Sequence, residues 1–142
     1  MTDDIHRVVL SWREQGIALL PGLAVDEIRD LAKEARINLS SDIELLYTLC
    51  GGMPKGTVDA NWFELWPLKR ALQDSINFPN LLIPFAEGFL SAQLYCFRVE
   101  NATNASIHMD FSFDGNSTRE IAPSLDAMCG LLLDSPSALC LP

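Results

Sequence analysis

Ser106, His108, Asp110 and Ser112 are where nucleophile, base and carboxylate side chains gather in this chain. Serine, histidine and aspartate can carry out acyl transfer when the histidine takes the hydroxyl proton and the acid orients its ring. Here they alternate with Ile107, Met109, Phe111 and Phe113, the period-two pattern of a half-buried strand. Residues two apart on a strand are separated by roughly 6.5–7 Å and point the same way. The set is therefore expected to run parallel, without converging to the ~3 Å of a nucleophile–base hydrogen bond. The pattern predicts a solvated or partner-facing sheet surface, with the four apolar residues in the core.

Other chemistry-bearing residues are sparse. His6 and His108 are the two histidines, too few and too separated to suggest a metal cluster, and His6 is expected to face solvent on a helix. Cys50, Cys96, Cys129 and Cys140 lie far apart with no C-x-x-C pair, which predicts reduced core thiols. Glu64 and Glu87 could be paired acids, but nothing in the sequence sets their separation. Trp62 and Trp66 bracket Glu64; they read as core aromatics first and as interface anchors second. There is no P-loop, dinucleotide fingerprint or nucleophile elbow. No catalytic residue, cofactor or metal is expected.

The formal charge of −9 argues against nucleic acid as a direct partner, since phosphate binding needs clustered Lys and Arg. Seven acids (Glu87, Glu100, Asp110, Asp114, Glu120, Asp126, Asp134) face only Arg98 and Arg119 from position 81 onward, so the acidic surface is expected in the second half. A basic protein partner suits it. The start at Met1-Thr-Asp-Asp is acidic and no apolar run reaches the roughly 18 residues of a membrane span. A soluble, cytoplasmic protein is expected.

The elements that must position these residues follow from periodicity. Ile5, Val8, Val9 and Trp12 predict a first helix, with Thr2 as its cap and Gly16 as its stop. A second helix is expected over 25–35, burying Ile28, Leu31, Ala32 and Ala35. Ser41 and Glu44 have the spacing of a capping box, and Gly51-Gly52 supplies a stop, so a third helix is expected over 41–50. Residues 62–66 read as a short aromatic strand, and Pro67 as the first residue of a short helix. Strands follow at 81–86, broken by Pro84, at 92–99, at 106–113 and at 118–121. Pro123 then opens a C-terminal helix striped by Leu125, Met128, Cys129 and Leu132. Helices, then grouped strands, then a helix predict an α+β fold with a mostly antiparallel meandering sheet packed against helices, in one domain over 1–142. Residues 1–20 form an N-terminal helical extension and 25–134 the core.

Ile28-Arg-Asp-Leu, the Leu39-Ser-Ser-Asp-Ile-Glu-Leu-Leu-Tyr stretch, Gly51-Gly52, the aromatic strand at 62–66 and Leu82-Ile-Pro-Phe-Ala-Glu-Gly before Leu94-Tyr-Cys-Phe together resemble the SUKH superfamily. That family groups fungal cell-wall-synthesis regulators with bacterial immunity proteins, and the resemblance covers about Val25 to Asp134. It implies a binding module without catalysis. Small bacterial members neutralise a cognate toxin, often a nuclease, which an acidic surface would suit. The expected partner-binding residues are Glu87, Glu100, Asp110 and Asp114, chosen by charge and expected exposure, with Trp62 and Glu64 as outside candidates. The alternatives are a regulatory scaffold for an endogenous signalling or envelope-synthesis protein, and a small hydrolase using His108 and Asp110.

Overall fold

Apolar residues three and four apart make the first helix, α1 (Asp3–Glu14), whose Ile5, Val8, Val9 and Trp12 are all buried. In a computed structural model describing residues 2–88 and 93–139, α2 (Val25–Ala35) and α3 (Ser41–Leu49) follow. The chain continues through β1 (Phe63–Leu65), α4 (Leu68–Ser75), β2 (Ile83–Gly88), β3 (Gln93–Val99), β4 (Ala105–Asp110), β5 (Thr118–Ala122) and α5 (Leu125–Asp134), ending in a 3-10 turn. Ala92, at the expected start of a strand, and Cys140 lie outside the described residues. Cys50, Cys96 and Cys129 are free and buried. No helix among the described residues is long and apolar enough to cross a membrane.

The strands form one sheet in the order β1-β2-β3-β4-β5, every neighbour antiparallel, which is the α+β meander predicted. Its inner face carries Phe85, Tyr95, Phe97, Ile107 and Met109 into a cluster with Ile5, Trp12, Tyr47 and Leu125 from the helices. The Phe85 and Phe97 rings stack at 3.7 Å, while Phe63 lies between Trp12 and Tyr95 with centroids at 6.1 and 5.6 Å. Helix α1 is thus part of the main core. On the outer face Trp66, Leu82, Leu94 and Cys96 form a smaller cluster against Phe78. Pro84 sits at a register irregularity of β2, beyond residues 86–88 that β1 covers, where its missing N–H leaves no ladder position empty.

Several helix ends differ from expectation, and at α1 and α3 a carboxylate or a backbone crossing takes the role. Ser40, not Ser41, is the N-cap of α3, and its hydroxyl donates to Asp42 at 2.5 Å. Glu44 does not reach back to the cap; it lies 3.7 Å from Arg29. Asp42 accepts from Ile43 N at 2.9 Å and from Ala105 N, at the start of β4, at 3.0 Å. Charged acceptors make the stronger bonds, so the aspartate organises this end. At the other end Cys50 is extended, and Gly51 and Leu20 are joined by bonds of 2.9 Å from Gly51 N to Leu20 O and from Leu20 N to Gly52 O. A Cβ on Gly51 would stand 2.3 Å from Pro21 O. The double glycine therefore permits two chain segments to cross closely, and only Gly52 (φ 112°) uses positive φ.

Thr2 precedes α1 without a side-chain cap bond. Instead Asp126 of α5 accepts from Asp4 N at 2.9 Å and from Ile5 N at 3.1 Å. Pro67 stands just before α4, outside the helix, and Ser124 rather than Pro123 starts α5, accepting from Ala127 N at 3.0 Å. Leu31 and Ala35 are half-buried against the core. The largest departure is at 111–113: β4 stops at Asp110, and Phe111 and Phe113, expected in the core, are exposed. Asp110 draws Gly115 N to 2.6 Å and Ser112 N to 3.1 Å, turning the chain before the alternation can continue.

Replacing Asp126 with Ala should lower unfolding free energy by about 1–2 kcal/mol in urea titration, the cost of losing a helix cap, whereas Thr2→Ala should change it far less. Equal effects would contradict the assignment of the cap to Asp126.

Candidate functional site

Cross-strand register assembles the outer face. Arg98 of β3 opposes Ser106 of β4, and Cys96 opposes His108, which opposes Glu120 of β5. A second row runs from Glu64 through Glu87 and Leu94 to Asp110 and Thr118. Between Ile107 and His108 the β4–β5 pairing shifts: Ile107 faces Ala122 and His108 faces Glu120, so Ile121 is an extra, bulged residue.

Ser106 and His108 do converge, contrary to the parallel arrangement expected. Ser106 Oγ lies 2.8 Å from His108 Nε2 and 2.7 Å from Glu100 Oε1. The backbone spacing of the strand is unchanged, but side chains lean along the strand direction, and an imidazole is long enough to span the interval. A carboxylate only accepts, so the serine hydrogen goes to Glu100 and His108 Nε2–H donates to the hydroxyl. That is the reverse of nucleophile activation, in which the ring accepts the hydroxyl proton. Arg98 closes the group by donating from Nε and Nη2 to Glu100 Oε1 at 3.1 and 3.0 Å. Hydrogen bonds from Ser106 and then Arg98 hold the Glu100 carboxyl below its usual range. Burial, helped by Arg98, pushes the His108 ring below its ordinary value, and Glu120 and Glu100 pull the other way.

The expected solvated face is covered. Ser106, His108 and Asp110 are all buried, Asp110 with 0% exposure. Asp110 is therefore not available to a partner; it accepts from Gly115 N, Ser112 N and Ser112 Oγ within its own turn. Asp114 is exposed, taking a hydrogen bond from Ser112 Oγ and one from Asn116 N at 2.9 Å, which lower its carboxyl below the ordinary value. Glu64 is buried and accepts from Gly56 N at 3.1 Å. It stands directly opposite Glu87, so the two candidate paired acids do meet across β1 and β2. Arg70 sits beside Glu87, 3.4 Å from its carboxylate and 3.7 Å over the Trp66 ring. Trp66 is core while Trp62 is exposed at φ 61°. His6 is exposed as expected, its Nδ1 3.0 Å from Thr2 O.

The six expected partner residues thus do not form one patch. Glu64 and Glu87 lie on β1 and β2, Glu100 follows β3, and Asp114 lies past the opposite end of β4. Glu120 and Arg98 join the site without having been singled out. The signal for Glu120 was a hairpin between the strand at 106–113 and that at 118–121, but placing it opposite His108 requires the strand end at Asp110 and the bulge at Ile121.

With its folded value depressed, His108 binds its proton less readily in the folded chain than in the unfolded one. Stability must therefore fall as pH drops from above the unfolded value of 6.5 toward the folded value. The urea midpoint should decrease between about pH 7.5 and 5.5, and less steeply in His108→Gln; identical slopes would refute a buried neutral ring. No protein-family model matches this sequence and no curated protein is significantly similar to it.

Proposed function

We propose that this chain is a non-catalytic, cytoplasmic protein-binding domain whose partner is a basic protein. The observation that carries the reading is the pair of loops at one end of the outer face, 76–82 and 111–117. They touch where Gly115 lies against Phe78 and Pro79. From them Ile76 and Leu81 stand out with 85% exposure each, together with Phe111 and Phe113. Aromatic and aliphatic anchors beside a charged rim are the composition of a protein interface, and Asp114 supplies the rim charge. Asn80, Leu81 and Phe113 hold φ near 60°, a conformation that costs of order 1–3 kcal/mol per residue and that clusters at binding sites.

The resemblance to the SUKH superfamily makes a toxin domain the first partner to test, and the acidic residues Glu100, Glu120 and Asp114 suit the basic surface of a nuclease. A regulatory scaffold acting on an endogenous partner is the alternative. The Ser106–His108 contact of 2.8 Å is what favours a hydrolase, but the hydroxyl proton is directed to Glu100 and Ser106 is buried.

Co-purification with the product of the neighbouring gene, followed by calorimetry, tests the proposal. Phe113→Ala should weaken the complex about tenfold or more. Asp114→Lys should slow association and reduce its salt dependence. Native affinity in both variants would overturn the assignment of the loops, and failure of the protein to protect cells from the neighbouring toxin would exclude the immunity role.

A further inference from the structure

We infer that Glu100, His108 and Glu120 form a binding site for a divalent first-row transition cation. A ring nitrogen of His108 and one carboxylate oxygen from each glutamate all lie within 4.8 Å of one another. Around a tetrahedral ion with bonds of 2.0–2.2 Å, ligand atoms stand about 3.4 Å apart. Closing the difference requires side-chain rotation by Glu100 and Glu120, both exposed, and displacement of Arg98 from Glu100.

The third ligand is held in advance. His108 is 5% exposed, and Ser106 holds its ring through Nε2; ligation through Nδ1 would keep that bond, in the way outer partners orient metal-binding imidazoles. Its other ring nitrogen carries no hydrogen bond among the described residues. The same serine holds Glu100, so one hydroxyl positions two of the three ligands.

The donor set narrows the ion. One imidazole nitrogen with two carboxylates suits zinc, manganese or iron, whereas calcium and magnesium take oxygen alone. Two carboxylates also balance the charge of a dication. Arg98 now pairs with Glu100 at 3.0 Å and would have to give way, which its 45% exposed side chain permits. Three protein ligands leave a fourth position for water or for a donor from outside the chain.

Calorimetric titration of the whole protein with zinc chloride in metal-free buffer tests the site without any protein partner. One saturable site is expected, weakened at least about tenfold in both His108→Ala and Glu120→Gln, and unchanged in His6→Ala. Because Glu120 is exposed, its substitution separates loss of the metal from loss of the fold. Lack of saturable binding below about 1 mM zinc, native affinity in Glu120→Gln, or loss of binding in His6→Ala would overturn the inference.

Discussion

A carboxylate taken out of water has to be surrounded by donors, and that requirement organises this domain more than any other. Asp42 ties Ser40 and the start of α3 to Ala105 at the head of β4. Asp59 accepts from the indole of Trp12 at 2.9 Å, and from Asn61 N and Phe63 N at 2.8 and 3.0 Å, so it positions both rings of a core stack. Asp126 fastens the first helix to the last, and Asp110 gathers the turn that follows β4. Each joins segments that hydrophobic packing alone would leave free to slide. Net charge is consequently a poor map of this surface, because part of it lies inside.

The fold was largely legible. Regular periodicity at 5–12 and 25–35 marks helices whose burial depends on one face each, and alternation at 93–99 marks a strand covered on both faces; local pattern suffices for those. The order of grouped strands likewise led to a meander. What could not be read was set by contacts distant in sequence: the Asp126 cap lies 122 residues from the amide it serves. Phe111 and Phe113 continued a perfect alternation, yet the Asp110 carboxylate overrode it with bonds to a turn whose geometry no period encodes.

The candidate sites divide in the same way. Glu100 and Asp114 are exposed as their sequence context predicts, whereas the meeting of Glu100, His108 and Glu120 depends on strand register, which sequence spacing leaves open. Strand spacing alone sets Ser106 and His108 apart, and the reach of their side chains along the strand brings them to 2.8 Å. The outer face also proved to be half core, since Trp66, Leu82, Leu94 and Cys96 pack there. The outer cluster separates two polar groups, Glu64, Glu87 and Arg70 on the β1–β2 side and Arg98, Glu100, Ser106, His108 and Glu120 on the β4–β5 side.

The bulge at Ile121 sets the phase of the last strand. Positions 120 and 122 differ by two and would share a face in a regular strand, yet Glu120 opposes His108 on the outside while Ala122 opposes Ile107 over the core. Deleting one residue there would force a choice between seating Ala122 and keeping Glu120 beside the histidine. Packing would decide it for Ala122. The number of residues between Asp110 and Ala122 therefore decides whether the outer cluster can form, separately from the core packing of Ala122.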